Sequence, residues 1–193
     1  MTRTLIVTGC TKRKSETPGP AIGVYHSQRL TLVKQLAKAI KADIGFVSAK
    51  YGFIMGSCVI EPYDQRLVTH EDARQLRAKA LPQLSRIWGD YQRIIIVLGA
   101  LYREVIRPAL NRVALWSRVQ GQEIIVIAGS VGIVNHHLKQ MIEEPGAFSP
   151  RGKSPAITLD AYLPSAAAQC LSLPKVGNGE DRDAQDAVNS FGV

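Results

Sequence analysis

Four short apolar runs, TLIVTG (4–9), IGFVSA (44–49), RIIIVLGA (93–100) and EIIVIAGS (123–130), limit the folds open to this chain. Each is continuous rather than alternating in hydrophobicity, the pattern of strands covered on both faces by helices in a parallel sheet. Segments of helical periodicity separate them. Leu30, Val33, Leu36 or Ala37, and Ile40 make one stripe, and Leu76, Ala80, Leu84 and Ile87 a second, with a cap at Thr69. Leu101, Val105, Ala109 and Val113 continue the pattern, as do Val131, Val134, Leu138 and Ile142. The expectation is a single-domain α/β fold, with a mostly parallel central sheet of about four to five strands, helices on both faces and right-handed crossovers.

A chain of 193 residues, 46% of them hydrophobic, is long enough to bury a full core in one domain. That domain is expected over residues 1–173. From Pro174 onward Gly, Asp, Asn and Ser predominate, and 174–193 reads as a disordered tail. No internal repeat is evident. The apolar part of MTRTLIVTGCTKRK is too short for a signal peptide or a membrane span, so a cytoplasmic protein without membrane partners is expected. Cys10, Cys58 and Cys170 have neither CxxC nor Cys/His spacing, which suggests reduced thiols and no structural zinc.

Charge narrows the partner. The net charge is +8, yet the tail holds four acids against two bases, so residues 1–173 carry +10. A body this basic favours polyanions: nucleotides, nucleobase-bearing substrates or nucleic acid.

The stretch TGCTKRK (8–14) concentrates that charge, placing Cys10, Lys12, Arg13 and Lys14 where the first strand ends. All four apolar runs end in small residues: Thr8-Gly9-Cys10, Ser48-Ala49, Gly99-Ala100 and Ala128-Gly129-Ser130. Small residues allow tight strand-to-helix turns. They also let a ligand approach the backbone at the carboxyl edge of a parallel sheet, where helix N-termini receive anions. Four such ends together favour a site there, with Lys12 and Lys14 on its rim. Cys10, near these cations and a helix N-terminus, is either a small packed residue or a nucleophile.

The second strand ends in SAKYG (48–52), and EPYDQRL (61–67) follows. Ser48, Lys50, Tyr51, Glu61, Tyr63 and Asp64 are thereby expected at one sheet edge. A pair of carboxylates among cations and tyrosines suits general acid/base or nucleophilic work, including the stabilisation of an oxocarbenium-like transition state. A loop with a structural Pro62 and a solvated ion pair would read the same way. In GALYRE (99–104), Gly99 allows close approach, and Tyr102 and Arg103 fall in a first helical turn. A cation there opposes the helix dipole and gains from meeting an anion. His136 and His137 are adjacent rather than four apart and make a weak metal signal. GAFSPRGKS (146–154) lacks phosphate-loop spacing, and the first strand is not followed by a dinucleotide glycine fingerprint, so no cofactor or metal is expected.

These stretches in this order, Cys10 and Lys14 with Tyr25 downstream, then SAKYG with EPYD, then the Gly-Tyr-Arg of GALYRE, resemble an uncharacterised family of bacterial and phage α/β proteins distantly akin to the peroxide-stress YaaA-like group. The resemblance spans roughly the first 110 residues. It implies an α/β fold and, through the YaaA-like group, a role in oxidative stress and DNA binding. A weaker resemblance is to the lysine-transfer domain of archaeosine synthase, a tRNA-modifying enzyme with Pro-Cys, three residues, then Lys-Pro-Tyr. Cys10 and Lys14 match that spacing, whereas Gly9, Ser15 and Glu16 depart from it. This resemblance implies chemistry on modified nucleobases.

The residues therefore point to an enzyme of nucleotide or nucleic-acid metabolism acting on a base or an N-glycosidic bond. Lys12, Lys14 and Arg103 would hold phosphate, Tyr51 and Tyr63 would stack on the base, and Glu61, Asp64 or Cys10 would act catalytically. The rival expectation is a non-catalytic DNA- or RNA-binding protein that uses Arg74, Arg77, Lys79 and Arg86 along one helix.

Overall fold

The computed structural model describes residues 2–120 and 122–144. In chain order the elements are β1 (Thr4–Gly9), β2 (Arg13–Lys14), β3 (Gly19–Pro20), α1 (Ala21–Val24), β4 (Tyr25–His26), α2 (Gln28–Ile40), β5 (Asp43–Ser48), β6 (Gly52–Met55), β7 (Val59–Ile60), α3 (His70–Trp88), β8 (Arg93–Val97), α4 (Ala100–Gln120), β9 (Glu123–Val126) and α5 (Val131–Glu143). The main sheet has the order β6-β5-β1-β8-β9. β5, β1, β8 and β9 run parallel, and β6 returns antiparallel along β5. This is the expected α/β domain, with a five-stranded, mostly parallel sheet. The predicted boundary at 173, the tail 174–193 and the stretch 146–154 lie outside the described residues.

The continuous apolar runs are buried on both faces because two helical layers cover them. Ile6, Ile95 and Ile125 pack beneath Leu30, Val33 and Leu36 of α2 and Val134, Leu138 and Met141 of α5. Leu5, Val7, Ile94 and Ile96 point the other way, onto Ala73, Leu76, Ala80 and Leu84 of α3 and Val105, Ile106 and Leu110 of α4. α3 starts where Thr69 predicts it, through a reciprocal cap: the Thr69 side chain accepts from Asp72 N–H, and the Asp72 carboxylate accepts from the N–H groups of Val68 and Thr69.

Three expectations are corrected. The third and fourth strands stop at Val97 and Val126, because Gly99-Ala100 and Gly129-Ser130 already serve as helix starts. Val131 is 60% exposed and leaves the α5 stripe. SAKYG is the turn of a hairpin that continues into β6, an edge strand that its short length hid.

Candidate active site at the carboxyl edge of the sheet

From β1 the chain passes through α2 to β5 on one side, then returns through α3 to β8 on the other. Strand order therefore reverses between β1 and β8, and in open α/β sheets a ligand crevice opens beyond the carboxyl ends at such a point. A cleft of about 400 Å³ lies there, lined from the β1 end by Thr8, Gly9, Cys10, Thr11 and Lys12. The opening turns of three helices complete it: Ser27 to Arg29 at α2, Gly99 and Tyr102 at α4, and Val131 and Asn135 at α5.

The electrostatics of this cleft are one-signed. Its lining includes Lys12 and Arg29 and neither an Asp nor a Glu. α2, α4 and α5 have no acid in their first turns, whereas α3 carries Glu71 and Asp72. The positive ends of three helix dipoles therefore reach the cleft without an acidic side chain in the first turn to offset them. Two polar atoms on its lining residues, Arg29 Nε and Asn135 Oδ1, are buried without a hydrogen-bond partner among the described residues. Buried groups left this way cost free energy and call for a partner.

Cys10 connects the cleft to a buried cluster of hydroxyls. Its Sγ lies 3.0 Å from the Tyr102 hydroxyl. Behind it, Tyr63 and Tyr25 hydroxyls are 2.8 Å apart, Tyr63 and Ser48 Oγ 2.7 Å apart, and Tyr25 donates to Ser48 at 3.2 Å. Ser48 also accepts from Tyr51 N–H, which fixes the β5 end to the turn that follows. The Tyr102 ring packs against Gly9, where a Cβ would stand in ordinary contact with it at 3.4 Å.

Burial drives the phenol acidities. It pushes Tyr25 up to about 12 despite the opposing hydrogen bonds with Ser48 and Tyr63. Burial, followed by negative charge on Cys10, raises Tyr63 and Tyr102 further. All three are protonated at neutral pH and can act as hydroxyl donors. Lys14 Nζ sits 4.4 Å from the centre of the Tyr63 ring and Lys50 Nζ 5.7 Å from it, with Lys50 also 5.1 Å from Tyr51. Such cation–π contacts hold positive charge beside the cluster.

The sequence-expected residues divide into three groups. Cys10, Lys12, Gly99 and Tyr102 line the cleft. Tyr25, Ser48, Tyr63, Lys14, Lys50 and Tyr51 assemble around Tyr63 beside it, with the Tyr51 ring edge-on to Tyr63 at 5.4 Å. Glu61 and Asp64 flank Tyr63 in sequence but are both exposed, and neither lines the cleft. Arg103 is half-buried in the first turn of α4, with its N–H on Gly99 O, and is also outside the lining. Sequence reasoning does not find Arg29 and Asn135. Arg29 sits beside Leu30 in an apolar stripe and Asn135 beside Val134, so only the fold reveals that both reach the β1 end.

The fold and cleft together define a doubly wound α/β protein with a thiol and an acid-free crevice at its strand-order reversal. The chain belongs to DUF6884, a family of unknown function, whose family model matches residues 5–130. Comparisons with curated proteins and with solved structures find no match. The matched region covers the cleft from Thr8 to Tyr102.

Proposed function

We propose that the protein is an enzyme of nucleotide or nucleic-acid metabolism that acts on a nucleobase, with the nucleotide held in the cleft at the β1 and β8 ends. The observation that carries this reading is the acid-free cleft, lined by Lys12, Arg29, the opening turns of three helices and the Cys10 thiol. Its volume of about 400 Å³ falls within the range of small-molecule pockets, about 300–1,000 Å³. The phosphate meets Lys12, the Arg29 guanidinium and the helix N-termini, and Asn135 offers its amide to the sugar or base. Cys10, as the thiolate with its proton released to solvent, adds to an electrophilic carbon of the base; a ring π bond breaks as the C–S bond forms, and its electron pair develops as an anion that the Tyr102 hydroxyl stabilises by donation.

The N-glycosidic alternative needs a carboxylate at the anomeric carbon. Glu61 and Asp64, outside the cleft lining, favour base chemistry instead. The backbone-binding rival draws on α3, where the cations are largely engaged: Arg77 donates to the Glu104 carboxylate at 2.9 Å, Lys79 to Lys50 O at 3.0 Å, and Arg74 pairs with Glu71.

Thermal stabilisation by nucleoside monophosphates and by the matching nucleosides tests the reading. Monophosphates are expected to raise Tm more than nucleosides do, and Lys12→Ala/Arg29→Ala to remove the difference. Equal shifts for both ligand sets, or shifts indifferent to the double substitution, would contradict it.

A further inference from the structure

The Lys12-Arg13-Lys14 triplet is divided between separate surroundings. Lys12 precedes β2 and lines the main cleft. Side chains alternate faces along a strand, so Arg13 and Lys14 of β2 point to opposite sides, and Lys14 lies over the Tyr63 ring. Arg13 enters a second cleft, of about 230 Å³, together with His26, Ser27, Gln28 and Lys34. This cleft also lacks an acid in its lining, and it shares Ser27 and Gln28 with the main one. The two hollows are therefore neighbours across the start of α2. Arg13 and His26 are direct cross-strand partners in the β2–β4 ladder, and both are exposed. Two bases placed opposite each other weaken a ladder when both are charged, and an anion between them reverses that cost.

We infer that the nucleotide acted on belongs to a polynucleotide strand, whose backbone runs from the main cleft over the start of α2 into the second cleft, where Arg13, His26 and Lys34 receive the neighbouring phosphate. This inference rests on the nucleotide reading of the main cleft and specifies its substrate. A free mononucleotide fills only the first hollow. A single strand fills both and presents one unpaired base to Cys10, whereas a duplex keeps its bases stacked and out of reach.

The test compares thymidylate with short fluorescein-labelled single strands of DNA and of RNA, and with a duplex of equal length. Binding is measured by anisotropy across a salt series in the wild type, Arg13→Ala/Lys34→Ala and Lys12→Ala/Arg29→Ala. The second-cleft variant is expected to weaken single-strand binding at least about tenfold and to flatten its salt slope by about 0.7, the value for one phosphate no longer neutralised. Thymidylate should bind it as it binds the wild type. Restoring both charges as Arg13→Lys/Lys34→Arg should restore the slope. The relative strength of DNA and RNA binding identifies the strand's sugar. If thymidylate binds through Lys12 and Arg29 while the second-cleft variant leaves strand affinity and slope unchanged, the inference is overturned and the cleft reading stands. Duplex binding as tight as single-strand binding also overturns it. If neither thymidylate nor the strand responds to Lys12→Ala/Arg29→Ala, the cleft reading fails and the inference fails with it.

Discussion

The Cys10 thiol and the Tyr102 hydroxyl stand 3.0 Å apart, joining the end of β1 to the first turn of α4 across the point where strand order reverses. The pair draws on separate parts of the sequence, 92 residues apart, and exists only because β1 and β8 are adjacent in the sheet. A phenol that stays protonated beside a sulfur is a fixed donor for the thiolate and for an anion formed near it. Tyr102→Phe keeps the ring against Gly9 and removes only the donor. Alkylation of Cys10 by iodoacetamide at neutral pH is expected to slow by about tenfold, the scale of one hydrogen bond to a charged group. Cys58, which is exposed and away from the cleft, should react at its wild-type rate.

Ser48 is fully buried and bonds to Tyr25, Tyr63 and the Tyr51 N–H. Ser48→Ala leaves the Tyr51 N–H without its acceptor and removes a shared partner from both phenols. The expected loss is about 1–3 kcal/mol, seen as a fall in Tm of several degrees. Tyr25→Phe should cost less, because Ser48 and Tyr63 remain bonded to each other at 2.7 Å. Equal costs for the two substitutions would show that Ser48 is not the centre of the network.

Alkali should separate the buried phenols from the rest. Tyr25 and Tyr91 are raised from 10.0 to about 12, chiefly by burial, with the hydrogen bond to Asp43 adding to it for Tyr91. The folded state holds these protons more tightly than the unfolded chain. Their contribution to stability is therefore complete below pH 10 and is lost as pH rises through about 12. Denaturant midpoints should hold to about pH 10 and then fall, with phenolate absorbance rising late and together with unfolding. Tyr25→Phe should make the fall shallower. Complete phenolate titration near pH 10 with the protein still folded would contradict this.

Much of the fold was legible because apolar continuity has one cause, burial on both faces, and the structure meets it with two helical layers. The edge strand β6 was not legible: four residues, two of them only half-buried, carry too little pattern. The candidate site was legible where charge or a thiol stood out at a strand end, as at Cys10, Lys12 and Tyr102. It was illegible where membership depends on which strands become neighbours. Arg29 and Asn135 belong to helices 106 positions apart in sequence and meet at the cleft only through the strand order. The split of Lys12 and Arg13 between two clefts falls where the chain enters β2, a strand only two residues long that left no periodicity to read.

The central claim is that a nucleotide occupies the cleft in contact with Cys10, and protection of that thiol tests it most directly. Alkylation of Cys10 and Cys58 would be followed by mass spectrometry with and without a saturating nucleoside monophosphate. The account predicts protection of Cys10 alone, abolished by Lys12→Ala/Arg29→Ala, with Cys58 serving as the control within the same molecule. Alkylation of Cys10 at the same rate with and without nucleotide would contradict it.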